Sequence, residues 1–515
     1  NQERAFQFGK ALHYFICPIL KYDINAKTSV TAEYNYMWGK TSGNNDDLPS
    51  INGKMFALPR NFAAADDKSD QLVVADHLYK LNLKHNFSNN WHLNMQLAYV
   101  NGKWGGHFMN TEDDVPVSND TLYRYASYED WRNFSKTVLA LVDGKFYSGK
   151  KIEHKVLFAP SLSQWGNNDT AANTWDGEPK FGLYIPMPDY HVDPDSLKNY
   201  TDTRSTKFRL TETTIYVQDN IKIAGKLIIT VGGRFTHAKL SLFGYNIPDY
   251  MEKLPVDRFT PRGGLTWLFK DHLSVYTLYD QFFNQQNLPN FEHKPFKPMT
   301  GYDLETGVKG LFFNRKLGFN SSIFHTVRNN LATRDPDHRN CYIQKGQVVS
   351  NGFDFDLTGN LTSAIVINAN YEYVDAKVTK DTDTSSIGVK NFGTPNHSAN
   401  LWLKYNLQKG RLKGMSFAAG YQFMGKRSAV DYYNPDPATR FLPAHNLFDV
   451  SIGYSIERFT LNLNVYNITN INYAAIGYYS RDAGDWRYTL GEPVNFRLSV
   501  SINLLQNKNK VKTHS

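Results

Sequence analysis

The sequence predicts an all-β protein, a transmembrane antiparallel β-barrel. Three observations support this prediction: apolar and polar residues alternate, the alternating segments are long, and short and long connections alternate between them. The composition agrees, because 33 Phe, 32 Tyr and 9 Trp bring aromatics to 14% of 515 residues while the mean hydropathy is only −0.50. Such aromatic content argues against disorder, and no run approaches the roughly 20 apolar residues of a spanning helix.

Alternation with a period of two is clear in several segments of the chain. One face of each predicted strand is apolar and the other carries Asn, Asp, Thr, Lys or Ser, as expected for strands between lipid and a wet lumen. We expect aromatic side chains where strands meet the headgroups, for example Tyr34, Tyr36 and Trp38 in one strand or Tyr371 and Tyr373 in another. The faces predicted to contact lipid include Leu461, Leu463 and Val465 in one strand and Phe353, Phe355 and Leu357 in another.

The connections predict the order of the elements. Many alternating runs have about 11 to 16 residues, against roughly 5 to 6 in globular sheets. Tight turns are predicted at Asp23–Ala26, Ser88–Asn90, Ser148–Lys150, Ala224–Gly225, Lys270–Asp271, Asn314–Arg315, Leu361–Thr362, Gln408–Arg411 and Glu457–Arg458. Long loops are predicted at Gly39–Asp70, Trp104–Asp130, Gln164–Arg204, Lys239–Asp257, Gln285–Pro298, Asn329–Val349, Lys377–Asn391, Ser428–Arg440 and Asn472–Leu490. Nine turns flanked by strands, followed by a final run over Glu492–Leu504, predict about 19 strands.

Charge and reactive residues exclude several functional classes. The net charge of +8 comes from 57 basic and 49 acidic residues spread along the chain, so no basic block indicates nucleic-acid binding. Two cysteines, Cys17 and Cys341, are too few for a disulfide framework or a cysteine zinc site. The 15 His residues lack metal-ligand spacing, and no catalytic motif is present. We therefore predict no enzyme, no catalytic or metal-binding residues and no cofactor.

Six groups of short segments, in chain order, resemble those of a known family. They are Tyr216–Asp219 with Gly232–Phe235, Phe259–Leu265, Lys297–Pro298 with Glu305–Lys309, Ser350–Asp354, Asn464–Asn470 with Tyr473, and Gly491–Pro493. These segments resemble TonB-dependent outer-membrane receptors, and the resemblance covers about Phe6 to Leu504. The strand blocks look most like siderophore receptors of the ferrichrome-like kind. The two short motifs typical of heme receptors are absent from the sequence, and residues 287–290 resemble one of them only superficially.

The resemblance implies a 22-stranded receptor barrel that imports a ferric siderophore or a similar metal chelate. It implies a location in the bacterial cell outer membrane, in contact with the lipid bilayer and lipopolysaccharide. Iron would be carried only as part of the ligand, and no nucleic acid would be bound. We assign residues 1–505 to the barrel and residues 506–515 to a basic tail. The family's plug domain would contact the inner-membrane TonB complex.

An odd number of strands would leave the two chain ends on opposite rims, which an even-numbered barrel does not allow. We therefore expect an incomplete receptor, with the plug and about three strands upstream of Asn1. The first and last strands are then expected to show a gap or a makeshift pairing, with no compact domain in the lumen.

Aromatic and arginine side chains near the outer strand ends are the candidate ligand-binding residues. A ferric chelate is bulky, partly apolar and often anionic, so aromatics with some arginine suit it. The candidates are Trp104, Trp165, Trp175, Tyr245, Phe283, Arg334, Tyr432, Tyr433, Tyr478, Tyr479 and Trp486. Aromatics at this rim also anchor barrels in the membrane interface, so each has an alternative structural role.

Other functions remain open at this stage. A passive porin-like channel is consistent with a polar lumen and with the absence of a plug in these residues. Heme or another nutrient is an alternative cargo. A surface adhesin or an outer-membrane enzyme is a third class, which no residue pattern supports.

Overall fold

The structure is a computed structural model that describes residues 2–3, 10–42, 48–60, 62, 71–111, 121–173, 182–184, 202–244, 247–251, 255–286, 290–292, 296–335, 338, 341–344, 346–381, 384–429, 440–480 and 484–503. The described residues are almost entirely β-structure, with one short 3-10 turn at Thr384–Ser386. Among them, no helix is long and apolar enough to cross a membrane. The predicted basic tail, residues 506–515, lies outside the described part.

Thirty strands follow one another in this part of the chain. The first fifteen are β1 (Gln2–Glu3), β2 (Lys10–Ile16), β3 (Ile19–Asn25), β4 (Thr28–Ser42), β5 (Leu48–Pro49), β6 (Gln71–Asn86), β7 (Trp91–Thr111), β8 (Thr121–Ser148), β9 (Ile152–Asn173), β10 (Gly182–Tyr184), β11 (Asp202–Ile223), β12 (Leu227–Gly244), β13 (Ile247–Met251), β14 (Pro255–Lys270) and β15 (Leu273–Asn284). The others are β16 (Met299–Phe312), β17 (Leu317–Asn329), β18 (Ala332–Arg334), β19 (Tyr342–Gln344), β20 (Gln347–Asn360), β21 (Ile365–Lys380), β22 (His397–Asn406), β23 (Met415–Met424), β24 (Arg427–Ser428), β25 (Phe441–Leu442), β26 (His445–Ile456), β27 (Phe459–Tyr466), β28 (Ala474–Ser480), β29 (Asp485–Leu490) and β30 (Asn495–Ile502).

One antiparallel sheet contains twenty-three of these strands. β2 and β3 pair in succession with the same neighbour, β4, and β1, β10 and β13 are short additions. Nineteen strand positions therefore lie side by side, from β2 and β3 to β30, each paired with its neighbour in the chain. This confirms the predicted antiparallel architecture and its approximate strand number.

The tight turns lie at or beside the predicted positions, and all nine join neighbouring strands of the sheet; the first lies at Ala26–Lys27, because β3 continues to Asn25. The turn between β11 and β12 shows why particular residues are found in these turns. Ala224 and Gly225 both have positive φ, 49° and 72°, and the Lys226 N–H donates to the Ile223 carbonyl at 3.0 Å, so they are the central pair of a β-turn within the connection 224–226.

Strands extend into several of the predicted long loops, which corrects those boundaries. β7 and β8 stay paired out to Thr111 and Arg124, within the predicted loop Trp104–Asp130. β9 and β11 likewise stay paired out to Asn173 and Asp202. Paired backbone satisfies its own hydrogen bonds, so polar side chains do not end a strand there.

Register assigns each barrel side chain to an outer or an inner face. On β27 the outer face carries Leu461 and Leu463, which are 44% and 37% exposed although apolar. The intervening positions of that strand are polar, among them Asn462. Cross-strand pairs such as Leu463 with Ile452 and Leu498 carry the assignment to the neighbouring strands. An exposed apolar outer face is what lipid requires of a barrel.

The sheet has two edges in the described part of the chain. All seven residues of β3 are exposed, and Phe496 on β30 is 78% exposed. Among the described residues no backbone pairing joins β2 or β3 to β30. The strands at these edges are instead connected through loops at one rim, which also contain part of the candidate site.

Candidate functional site

Three connections meet at the rim opposite the tight turns and form what we call the rim cap. It comprises residues 48–62, residues 427–429 with 440–442, and residues 473–491, as far as these are described. β28 and β29 form a hairpin, and β5 adds a third strand to it through Leu48 opposite Tyr488. β24 and β25 pair beside it. The cap therefore joins the connections that follow β4, β23 and β27.

Two arginines hold the cap segments together. The Arg60 guanidinium donates hydrogen bonds to the backbone oxygens of Asn470, Ile471 and Glu492 at 3.0, 2.9 and 3.2 Å. Arg427 donates to the carbonyls of Ala474 and Ala475 at 2.6 and 2.5 Å. Burial lowers the pKa of both arginines from its ordinary value. Each arginine thus connects segments that are far apart in sequence.

The inside of the cap is a small hydrophobic core. Tyr488 is 1% exposed, and its hydroxyl accepts a hydrogen bond from the Phe56 backbone N–H at 2.7 Å. Burial raises the pKa of Tyr488. Arg487 is fully buried beside Asp485, with 3.9 Å between Nη1 and Oδ2. The buried apolar residues of this core are Leu48, Phe62, Ala429, Leu442, Ala474, Tyr488 and Leu490.

Cationic and aromatic side chains form a half-exposed strip on the cap. The Arg440 guanidinium lies over the Tyr479 ring, with Cζ 3.4 Å from the ring centroid. Tyr479 packs edge-to-face on Trp486 at 5.4 Å. Lys390, beside the cap in the connection between β21 and β22, has its Nζ 5.9 Å from the ring centroid of Phe441, the residue after Arg440. We call these five residues the cation–aromatic strip; it combines apolar contact area with positive charge.

Two of the predicted residues lie on the inner face of the barrel wall. Trp104 on β7 alternates with the outward Tyr99 and packs on Phe108 and Trp131, at ring distances of 5.3 and 5.4 Å. Trp165 on β9 packs edge-to-face on Phe208 at 4.6 Å and is 44% exposed. Both tryptophans therefore face the lumen side.

The other predicted residues do not join one site. Tyr478, Tyr479 and Trp486 lie together on the β28–β29 hairpin. Phe283 lies on the outer face of β15, in the row of Val275 and Tyr279. Arg334 ends β18 opposite Tyr342, and its side chain is outside the described residues. Also outside the described residues are Trp175, Tyr245, Tyr432 and Tyr433.

Several residues of the cap, and Lys390 beside it, were not among the candidates. Arg440 and Lys390 contact aromatic rings, and Arg60 and Arg427 position the loops. The only sequence signal was an arginine next to an aromatic residue, Arg440–Phe441, within a predicted loop. Their partners are up to about 430 residues away, so no local spacing could have found them. Within the described residues, no group of three or more His, Cys, Asp or Glu could hold a metal ion.

Comparison with known proteins connects this geometry to a family. The chain is 22% identical over 513 residues to the metal-pseudopaline receptor CntO of Pseudomonas aeruginosa, covering 97% of this chain and 69% of that receptor. It is 24% identical over 438 residues to the ferrioxamine B receptor of Salmonella typhimurium, covering 83% of this chain and 58% of the receptor. The chain thus spans about three fifths to two thirds of these relatives' length.

A solved structure with the same fold is that of P. aeruginosa FpvA bound to heterologous pyoverdines. The TM-score is 0.81 at 19% identity, over 97% of this chain and 66% of FpvA. The family model described as "TonB dependent receptor-like, beta-barrel" matches residues 21–468, most of the nineteen-strand sheet. This family consists of receptors and transporters rather than enzymes. The chain therefore belongs to the TonB-dependent receptor-like β-barrel family.

Proposed function

We propose that the chain is the barrel of an outer-membrane receptor that imports a ferric siderophore or a similar metal chelate. The energy for import would come from the inner-membrane TonB complex, contacted through a plug domain. The observation that carries the proposal is the family match over residues 21–468. Relatives named as receptors for metal-pseudopaline and ferrioxamine B support a metal chelate as cargo.

The cation–aromatic strip supports the same class of ligand. Ferric chelates are bulky, and many carry negative charge, so they match a surface that offers flat apolar rings beside guanidinium and ammonium groups. Arg440, Tyr479 and Trp486 are half-exposed on the rim. We propose that this strip makes the first contact with the chelate. Trp104 and Trp165, on the inner face, are proposed to contact it deeper in the lumen.

Growth on defined iron sources tests the transport proposal. We expect a strain without the gene to lose growth on at least one ferric siderophore as sole iron source. Expression of the gene should rise when iron is scarce. Purified receptor should bind the iron-loaded siderophore more tightly than the free one. Equal growth with and without the gene on every chelate tested would contradict the proposal.

A single variant tests the strip separately from transport. Removing the Arg440 charge with Arg440→Gln should weaken binding of the growth-supporting chelate about tenfold or more, since hydrogen bonds to charged groups are worth about 1.5 to 3 kcal/mol. Arg411→Gln is the matched control, because Arg411 is exposed in a tight turn at the opposite rim. Unchanged affinity in Arg440→Gln would exclude this contact while leaving the transport proposal intact.

A further inference from the structure

The nine tight turns carry an excess of positive charge. The residues that connect the strands there include ten lysines and arginines but only two carboxylates, Asp271 and Glu457, whereas the whole chain has 57 basic and 49 acidic residues. All ten are exposed, and we call them the basic ring: Lys27, Lys150, Lys151, Lys226, Arg315, Lys316, Lys409, Arg411, Lys413 and Arg458. The charge of the chain is therefore distributed unevenly, with a positive rim at the turns.

Within the described part of the chain, no member of the basic ring forms an ion pair. The ion pairs near this rim use other side chains, such as Lys145 with Glu153 and Lys21 with Asp23, both at 2.8 Å. Because the cations are so little neutralised, the rim attracts anionic groups from its surroundings. In outer-membrane barrels the short turns face the periplasm, so a partner of this rim would be periplasmic.

Three successive residues of the turn between β16 and β17 have a left-handed backbone. The φ angle is 51° at Phe313, 55° at Asn314 and 66° at Arg315. This conformation is costly for residues other than glycine, and asparagine is among those that tolerate it best. The Lys316 N–H closes the turn by donating to the Phe312 carbonyl at 3.0 Å. The turn therefore holds a 63% exposed phenylalanine, Phe313, close to a cation at the cost of backbone strain.

The same turn borders a groove across the ends of three hairpins. The groove has a volume of about 710 Å³, and Asp271 is the one carboxylate among its described lining residues. The His272 ring packs edge-to-face on Phe312 at 5.8 Å. The lining combines three aromatic rings with five side chains of Lys, Arg and His, namely Phe269, Phe312 and Phe313 with Lys222, Lys226, Lys270, His272 and Arg315.

This groove reaches the mouth of the lumen. Lys222 and Leu268, which line it, lie on the inner face of the wall, because they alternate with the outward Val217 and Trp267 of their strands. Water and protein have access to that mouth, whereas lipid is confined to the outer wall. The groove thus combines positive charge with apolar area at a surface that a periplasmic protein can reach.

We propose that the rim of tight turns docks an acidic segment of a periplasmic protein. Carboxylates of that segment would contact the basic ring, and one of its aromatic side chains would enter the groove beside Phe313. Charge complementarity supports a protein partner, because the ring extends over six of the nine turns and exceeds the size of one small ligand. The inference rests on the outer-membrane location in the proposed function and is independent of the imported cargo.

Peptide binding to the full chain, folded into nanodiscs of a zwitterionic phospholipid, tests this inference. The probe is a fluorescent peptide of glutamates around a single phenylalanine, and the comparison peptide has glutamine in place of every glutamate. We expect the acidic peptide to bind about tenfold more tightly than the glutamine peptide, and this advantage should shrink as salt rises. Fluorescence anisotropy measures both affinities.

Two variants locate the contact on the rim. Lys226→Gln combined with Arg315→Asn should weaken binding of the acidic peptide about fivefold to tenfold, because two cations are removed from the groove. Phe313→Asn should weaken binding of the acidic peptide but not of a version with serine in place of its phenylalanine. Asparagine tolerates a left-handed backbone, so both substitutions in this turn preserve its conformation.

A matched control removes two exposed cations away from the turns. Lys136→Gln with Lys239→Gln should leave peptide binding unchanged. The heat-dependent shift of the barrel on gels verifies that each variant is folded. Absence of peptide binding, equal binding of the acidic and glutamine peptides, or an equal loss in the groove and control variants would overturn the proposal. Loss of peptide binding in nanodiscs that contain phosphatidylglycerol would also overturn it, since an anionic lipid would then be the occupant. Growth on ferric chelates tests the transport proposal separately.

Discussion

At the residue scale, Arg60 shows how one side chain organises a rim. Its planar guanidinium reaches three backbone oxygens from a connection more than 400 residues away. Such a fork matches several acceptors at once, which a lysine ammonium cannot do with the same geometry. The acceptors, on Asn470, Ile471 and Glu492, flank the β28–β29 hairpin. Arg60 therefore positions Tyr479 and Trp486 of the cation–aromatic strip without contacting them.

Replacing this arginine should loosen the cap. We expect Arg60→Ala to lower the local stability of the β28–β29 hairpin by roughly 2 kcal/mol, because hydrogen bonds to a charged group are lost. Arg60→Lys should have an intermediate effect. Hydrogen exchange of the amides in residues 485–490 measures the change, and Arg411→Ala is the control. Unchanged protection in Arg60→Ala would show that the hydrophobic core alone holds the hairpin.

At the element scale, the hairpins depend on their turns and on their outer faces. The turn between β11 and β12 needs positive φ at two successive residues, and Gly225 supplies one of them at no steric cost. Ala224 adopts the other positive φ, 49°, at a steric cost because it has a Cβ atom. A hairpin of this kind also sets the register of its strands, which places Ile215 and Val217 on the outer face.

A β-branched residue in this turn should destabilise the hairpin. We expect Gly225→Val to lower the free energy of unfolding by about 1 to 2 kcal/mol, the cost of a left-handed conformation for such a residue. Ala224→Gly is the matched variant and should be neutral or slightly stabilising. Urea titrations of folding into lipid vesicles measure both. Equal stability of the two variants would contradict the assigned turn geometry.

A charge on the outer face tests the assignment of that face to lipid. We expect Leu463→Arg to cost roughly 2 to 4 kcal/mol if the residue lies near the bilayer midplane. Asn462→Arg, on the inner face of the same strand, should cost much less because the lumen is polar. Folding into vesicles followed by denaturant titration measures the difference. Normal folding of Leu463→Arg in a membrane would count against the barrel orientation.

At the scale of the whole molecule, the rim cap connects the two ends of the sheet. The connection after β4 lies near one edge, and the connection after β27 lies near the other. Ser50 and Trp486 from these connections are joined by hydrogen bonds of 2.9 and 3.0 Å. Since β3 and β30 are not paired with each other in the described residues, the cap is a link between strands at both edges of the sheet.

Protection from hydrogen exchange should follow this architecture. We expect the amides of β3 and β30 in the folded chain to exchange faster than those of β11 and β12, because the edge strands have a neighbour on one side only. The cap residues near Tyr488 should be protected despite lying in a connection. Equal protection of edge and interior strands would indicate a pairing between β3 and β30.

The sequence by itself was sufficient to predict the antiparallel barrel, its nine tight turns and its approximate strand number. Alternation with a period of two and turn residues such as Ala224–Gly225 are local signals, so they can be read without the fold. The sequence also indicated the family through short segments such as Gly232–Phe235. It identified Tyr478, Tyr479 and Trp486 as candidates because aromatics gather near strand ends, although their contact with a ligand stays a prediction.

Only the tertiary structure decided which side chains come into contact at the rim. The cap unites three connections whose residues are tens to hundreds of positions apart, so the contact of Arg440 with Tyr479 and that of Arg60 with Asn470 leave no local pattern. Register likewise decided that Phe283 faces outward, since one residue of shift reverses the face of a strand side chain. Register also decided the faces of β8, where Lys136 lies opposite the outward Tyr99 and Trp131 lies opposite the inward Trp104.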